Sequence, residues 1–303
     1  MKILNFGSMN IDKVYKVNEI VGKKETISSK EYVELIGGKG LNQSVAISCV
    51  GVKPFHAGKI GADGDFLKTY MKDKGIDTEF IFKSNNVSGH AVIQVDQHGE
   101  NAIIVHGGSN HEITVEDIDQ VLSQFDKNDW LLIQNEISNL DYLIRSASKK
   151  GMKIFLNPSP ITDELLNHPL QLIDTFILNE VEGSRLTSAT EVETILEGLT
   201  LRFPDSEFIL TLGEKGSIYY DGNQKHIQDA FKVKAIDPTG AGDTYTGYFL
   251  ASRFNGWSIE DSMRFASAAS AISVTQLGAS NSIPTLQQVS DWLERMGSGE
   301  WEN

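Results

Sequence analysis

Apolar residues recur along this chain in short runs broken by glycine, asparagine and charged residues. Ile3-Leu4-Asn5-Phe6-Gly7-Ser8-Met9 predicts a buried strand leading into Asn10-Ile11-Asp12. Val14, Tyr15, Val17, Tyr32, Val33 and Leu35 then alternate with polar neighbours across residues 13–35, which predicts short strands and no helix. Small and apolar residues over 43–50 suit a buried helix that Gly51 stops, and 55–60 predicts another strand. An amphipathic helix follows over 66–74, with Asp63 or Asp65 as its candidate N-cap. Two alternating runs, 90–95 and 101–105, are joined by Asp96-Gln97-His98-Gly99-Glu100 and predict a hairpin.

From Thr114 the period switches between strand and helix. Strands are predicted at 129–134, 153–157, 175–178 and 208–211 and a helix at 140–150, then a hairpin from 217–220 and 225–227. A strand at 233–236 and helices at 244–254, 259–277 and 285–296 follow, before a loose polar tail over 297–303. Strands alternating with helices predict an α/β fold with a mostly parallel sheet, whose functional residues gather at the carboxyl ends of the strands. Asn135-Glu136, Asn157-Pro158, Asn179-Glu180 and Thr211-Leu212-Gly213 all fall at such ends. Residues 13–35 and the first hairpin predict a small sheet apart from the main one.

One segment is hard to explain by folding alone. Asp237-Pro238-Thr239-Gly240-Ala241-Gly242-Asp243 leaves bare backbone at the start of a helix, where unpaired N–H groups and the helix dipole favour an anion such as a phosphoryl group. Asp243 opposes an anion there unless it has a task, and taking a proton from an attacking hydroxyl is one. Read structurally, the same segment is a proline turn, packing glycines and an acid welcome at a helix N-terminus. A second glycine cluster, Ile36-Gly37-Gly38-Lys39-Gly40-Leu41-Asn42, is no Walker loop: Lys39 is followed by Gly40 rather than Ser or Thr. No G-x-G-x-x-G opens a helix after the first strand, which removes the main support for a dinucleotide fold. Lys39 and Asn42 are suited to a ligand with many hydroxyls, because each buried hydroxyl needs both a donor and an acceptor. Asn179-Glu180-Val181-Glu182 reads equally as a capped helix start.

Together these motifs resemble the ribokinase, or PfkB, family of carbohydrate kinases. D-x-T-G-A-G-D matches its C-terminal signature, with Pro238 where many members carry Thr, and G-G-K-G-x-N and G-S-M-N-I-D match its N-terminal elements. The resemblance implies a three-layer α/β/α sandwich over 1–12, 36–88 and 107–303, with 13–35 and 89–106 as a β-sheet lid over the sugar and often a dimer surface. It implies an ATP-dependent sugar kinase with Asp243 as base and a backbone anion hole at Gly240, Ala241, Gly242 and Asp243, the acceptor being the 5-hydroxyl of D-ribose. Fructose, keto-deoxy sugar acids and nucleosides are the competing acceptors, the last with Tyr15 as a stacking platform; a non-catalytic sensor is the competing class. Asp12, Gly38, Lys39, Asn42, Glu136, Ala91, Ile93 and Val105 would meet the sugar. Asn179, Thr211, Gly213 and Gly216 would lie near the nucleotide, and Glu182 would act on Mg²⁺ through water. A monovalent cation, usually K⁺, would sit among Asp237, Thr239, Ser273, Gln276, Gly278 and Ser282.

Composition narrows the partners. The chain has 303 residues, 40% hydrophobic and 22% charged, enough for one large α/β domain or two modest ones. Acids outnumber bases by 41 to 27 for a formal charge of −14, which argues against nucleic acid and anionic membranes as partners. The lone Cys49 cannot form an internal disulfide, no apolar run reaches transmembrane length, and a cytoplasmic protein is expected. His90, His98 and His106 have no metal-ligand company at useful spacing.

Overall fold

A computed structural model describes residues 1–298. In chain order the elements are β1 (Ile3–Phe6), β2 (Asn10–Lys16), β3 (Glu31–Gly37), α1 (Lys39–Cys49), β4 (Phe55–Ile60), α2 (Asp65–Asp73), β5 (Ile81–Lys83), β6 (Gly89–Val95) and β7 (Asn101–His106). They continue as α3 (Val115–Leu122), β8 (Trp130–Gln134), α4 (Leu140–Lys150), β9 (Lys153–Asn157), β10 (Thr175–Asn179), α5 (Glu180–Thr187), α6 (Val192–Arg202) and β11 (Glu207–Thr211). The last are β12 (Ser217–Tyr220), β13 (Lys225–Gln228), α7 (Ala241–Phe254), α8 (Ile259–Ser273) and α9 (Leu286–Ser298).

Nine strands form one sheet in the order β13-β12-β11-β10-β9-β8-β1-β4-β5, parallel except for β12 and β13. Its strands are apolar on both sides, as a sheet covered by helices requires. Ile3, Leu132, Phe155, Ile177 and Ile209 enter one core with residues of α1, α2, α7, α8 and α9. Their neighbours Leu4, Leu131, Ile154, Phe176 and Phe208 enter the other core with residues of α3, α4, α5 and α6. The result is the three-layer α/β/α sandwich. From β1 the chain turns to β4 on one side and later reaches β8 on the other, so the crevice at the carboxyl ends of β1 and β8 is the topological switch point.

A second sheet has the order β3-β2-β6-β7, with β2 antiparallel to β3 and parallel to β6. Its register sets Asp12 opposite Leu35 and Ala91, and Ala91 opposite Val105. Because side chains alternate along a strand, Asp12, Ala91, Ile93 and Val105 share one face and Tyr15 lies on the other.

Several expectations need correction. The first strand does not run to Met9: Gly7 N–H donates to Ala57 O at 3.0 Å, Met9 N–H to the Asn110 side chain at 3.1 Å, and Asn10 already pairs in the second sheet. The chain changes sheets across those residues. No strand forms at 233–236, where the N–H groups of Ile236 and Asp237 both donate to Val274 O, at 2.7 and 3.1 Å. Helix α8 stops at Ser273 rather than 277 because that carbonyl is taken by the returning loop. Neither Asp63 nor Asp65 caps α2: Asp63 accepts from Ser88 N–H, Asp65 pairs with Lys83, and the N-cap is Gly64. Helix α1 starts at Lys39, four residues earlier than expected, directly on the glycine cluster.

Helices α1 and α7 pack closely because Gly247 faces α1. A Cβ there would lie 2.4 Å from Ala46 Cβ and 2.6 Å from Gln43 O. Gly247→Val should therefore force the helices apart and cost about 2–3 kcal/mol of folding stability. Urea denaturation followed by circular dichroism measures it, and an unchanged midpoint would remove the packing argument.

Candidate active site

The close approach of α1 and α7 places two side-chain amides on one carboxylate. Asn42 Nδ2 donates to Asp243 Oδ2 and Gln43 Nε2 to Asp243 Oδ1, both at 2.9 Å. Asp243 is 7% exposed and Gln43 fully buried. Asn42 has spent its N–H on Asp243, and its buried Oδ1 has no partner among the described residues. An orphaned acceptor beside a carboxylate is what a hydroxyl donor would satisfy.

At the switch point, Ser8 Oγ donates to Glu136 Oε2, and the same oxygen accepts from Lys39 N–H at 3.2 Å. Gly38, the N-cap of α1 with φ 95°, makes this turn possible, since a Cβ would lie 2.8 Å from Asn10 N. Asp12 reaches toward the same place from β2, and a Cβ on Gly37 would strike its carboxylate at 2.1 Å. Burial first, then repulsion from Glu136 and Asp243, pushes the Asp12 carboxyl up to about 7 against the pull of Lys39. Burial likewise raises Glu136 despite Lys39 and Ser8. Lys39 itself is raised, by Asp243 foremost and then by Glu136, Glu182 and Asp12 against the cost of burial. One cation thus serves four carboxylates.

Beyond this cluster opens a cleft lined among others by Lys39, Asn157, Asn179, Glu182, Thr211 and Asp243. The structural reading of residues 179–182 is correct: Asn179 Oδ1 accepts from Glu182 N–H at 3.0 Å, and Glu182 Oε2 from Asn179 N–H at 3.0 Å, a capping box that starts α5. The box also aims Glu182 into the cleft at 4% exposure, with burial raising its carboxyl.

The start of α7 faces the cleft through Gly240 and Gly242. Gly240 has φ 77°, and a Cβ on it would lie 2.9 Å from Ala279 Cβ. A Cβ on Gly242 would meet nothing within 4 Å, so the protein's own packing does not ask for glycine there. The N–H groups of Gly240, Gly242 and Asp243 have no acceptor among the described residues. Of the four expected donors, Ala241 N–H alone already has an acceptor among the described residues, Pro238 O at 3.2 Å. Asp237 braces the turn, accepting from Thr239 N–H and Gly278 N–H, each at 2.9 Å. Burial pushes its carboxyl up, but these bonds outweigh it and hold the group below the ordinary range.

The structure does not bring every expected residue to one place. Gly216 belongs to the entry into β12, where a Cβ would lie 2.0 Å from Gln228 O, and Gly213 is outside the cleft lining. Ala91, Ile93 and Val105 stand on Asp12's face of the small sheet, with Val105 63% exposed. Tyr15 is no stacking platform on that face; it packs on Tyr32 with ring centroids 4.9 Å apart on the opposite side. Residues 237–239 and 273–282 do meet, through Val274 O and Gly278 N–H, but Ser273 and Ser282 donate their hydroxyls to Ser270 O and Ala279 O. Gln43 and Ser8 went unpredicted, and Asn157 was expected only as one of the groups at a strand's carboxyl end. The adjacent amides Asn42-Gln43 in the first turns of a buried helix were the available signal.

Comparison with known proteins fits this arrangement. The family model for pfkB family carbohydrate kinases matches residues 1–286. The chain belongs to that family. A ribokinase of Haemophilus influenzae is 36% identical over 300 residues, covering 95% of this chain and 97% of its own. Among solved structures, an Arabidopsis thaliana ribokinase complexed with ribose and ATP is 29% identical with a TM-score of 0.84, covering 97% of this chain and 98% of its own. A Cryptococcus neoformans ribokinase in complex with ADP is 31% identical with a TM-score of 0.85, covering 96% and 99%.

For this pfkB-family kinase the raised Asp12 carboxyl has a measurable consequence. Between the ordinary value of 3.8 and about 7, the folded protein keeps a proton that the unfolded chain has released. Folding stability therefore falls as pH rises through that window and is level above it. Asp12→Asn should make the ligand-free protein more stable by about 2 kcal/mol at pH 8, with the gap closing toward pH 4. Thermal melts across that range test it, and a variant less stable than wild type at pH 8 would contradict the reading.

Proposed function

We propose that this kinase transfers the γ-phosphoryl group of ATP to the 5-hydroxyl of D-ribose, with Asp243 as the base. The observation that carries the reading is the meeting at one cleft of a buried carboxylate held by two amides and three uncommitted backbone N–H groups. Asp243 takes the proton of the 5-hydroxyl while its oxygen bonds to the γ-phosphorus, and the bond to the β-phosphate oxygen breaks to release ADP. The N–H groups of Gly240, Gly242 and Asp243 receive the charge on the transferring group, which is the main means of acceleration in phosphoryl transfer. Lys39, cationic among the acids, supports the same charge.

Asp12, Asn42 and Glu136 hold the sugar hydroxyls, with Gly38 letting the backbone approach. Ribose as the acceptor is supported by relatives that carry the name ribokinase, one of them solved with ribose and ATP. Glu182, a buried carboxylate in the cleft, fits a Mg²⁺ held through water, and the all-oxygen set at 237–239 and 273–282 fits K⁺. When bound, Mg²⁺ would neutralise phosphate charge and K⁺ would add a fixed positive charge for the anion turn. The small sheet, residues 13–35 and 89–106, covers the sugar and keeps water from accepting the phosphoryl group. Ile103 and Val105 on one face of the edge strand β7 and Ile104 on the other, 53–68% exposed, make that edge apolar and suited to a second copy of the chain. A cytoplasmic location suits the lone cysteine and the ATP requirement.

Asp243→Asn should lower turnover at least about hundredfold while ribose binding by calorimetry is retained. The assay is coupled ADP release on ribose, fructose, a keto-deoxy sugar acid and a nucleoside panel, with and without K⁺. Near-normal turnover in the variant removes Asp243 as base, and faster release with another acceptor reassigns the substrate.

A further inference from the structure

A chain of buried side-chain amides runs from Asp243 into the middle of the sheet, and the reaction outlined above uses only its first link, from Gln43. Gln43 Nε2 donates to Asp243 Oδ1 at 2.9 Å and to Asn157 Oδ1 at 3.2 Å. Gln43 Oε1 accepts from Gln134 Nε2 at 2.7 Å, and that nitrogen also donates to Asn5 Oδ1 at 3.0 Å. Asn5 Nδ2 in turn donates to Gly40 O at 2.7 Å and to Ser44 Oγ at 2.8 Å. Ser44 Oγ lies 2.8 Å from Nδ1 of His56. Asn5, Gln43, Ser44, His56 and Gln134 are all completely buried.

The orientation of every amide follows from one group that cannot change roles. A backbone carbonyl only accepts, so Gly40 O fixes Asn5 with its nitrogen toward α1 and its oxygen toward β8. Gln134 must then present its nitrogen to Asn5, and the second hydrogen on that nitrogen meets Gln43 Oε1. With its oxygen so occupied, Gln43 presents N–H groups to Asp243 and Asn157. Turning any one amide over would set N–H against N–H or oxygen against oxygen in a water-free interior, where each unmade bond is costly. Gly40 is itself fixed, since a Cβ on it would lie 2.5 Å from Ser8 N and 2.6 Å from Gly7 Cα. His56 closes the far end without adding a charge, because burial above all depresses its imidazole to about 3 and keeps it neutral.

We infer that Gln43 is a positioning residue for the catalytic base: it holds the Asp243 carboxylate in its proton-accepting orientation, and its own orientation is imposed from β1 and β8 through Asn5 and Gln134. The inference rests on Asp243 being the base. Asn42 ties the other carboxylate oxygen and faces the sugar cluster, whereas Gln43 faces the sheet, so the two amides divide positioning from sugar contact. A buried amide network could be ordinary packing support, and the test separates the two roles by what kcat and KM do.

Gln43→Met keeps length and volume and removes both N–H groups. It should lower kcat about ten- to hundredfold, as small displacements of a catalytic group do, with KM for ribose and ATP within about twofold. Gln134→Met touches neither substrates nor Asp243 and should lower kcat in the same direction by a smaller factor. The double variant should be no slower than Gln43→Met alone, because both act through one carboxylate. Independent multiplication of the two effects, or wild-type kcat in Gln134→Met, overturns the inference, as does a KM rise that accounts for the whole loss in Gln43→Met. Should Gln43→Met fail to fold, Gln134→Met alone decides by the same kcat criterion. Asp243→Asn is measured alongside: retained turnover there fails the base assignment, while a dead Asp243→Asn with wild-type glutamine variants fails this inference alone.

Discussion

A carboxylate buried at the start of α7 with no cation within ion-pair distance among the described residues is the constraint on which the rest of the site depends. Taking such a group out of water is costly unless its oxygens are hydrogen-bonded. Asn42 and Gln43 meet that need with neutral donors, which hold the group without the tight ion pair that would compete for its lone pairs. Neutral amides can do so only if α1 comes close to α7, and the absent side chain of Gly247 allows that approach. Helix α1 in turn begins on Gly38, whose backbone conformation lets the chain leave β3 and enter the helix beside Glu136.

The second feature is a surplus of negative charge. Asp12, Glu136, Glu182 and Asp243 all act on Lys39, and burial raises three of these acids. An arrangement like this disfavours the empty folded state and is relieved by ligands that bring hydroxyl donors or a cation. Strain of this kind concentrates at functional sites, where stability and activity trade against each other. The two cores on either side of the sheet are large and almost wholly apolar, and they offset it.

How much could be seen in the chain alone differs from element to element. Helix α4 and strand β9 were legible to the residue, because a clean amphipathic period and an apolar run bounded by glycine leave little choice. The break after Phe6 was not, since Gly7-Ser8-Met9 is as buried as the strand before it and only its partners change. The run 233–236 has the composition of a strand but finds no strand to pair with, and pairing is not written in local sequence. At the site, the glycine-rich motifs stood out because bare backbone next to acids has few structural uses. Gln134 did not, and Gln43 only through its neighbour Asn42: a glutamine in an apolar run signals little until the fold shows which buried oxygen it faces. Tyr15 failed for a related reason, as the face of a strand follows from register and register from the partner.

The bond from Asn42 to Asp243 joins residues 201 apart in sequence. During synthesis the chain is delivered from its N-terminus, and a domain folds as a unit once its parts have emerged. Asn42 therefore leaves the ribosome long before the acid that it holds. A nascent or prematurely ended polypeptide that stops short of α7 cannot make this bond, and there the amides of Asn42 and Gln43 lack the carboxylate they hold in the whole chain.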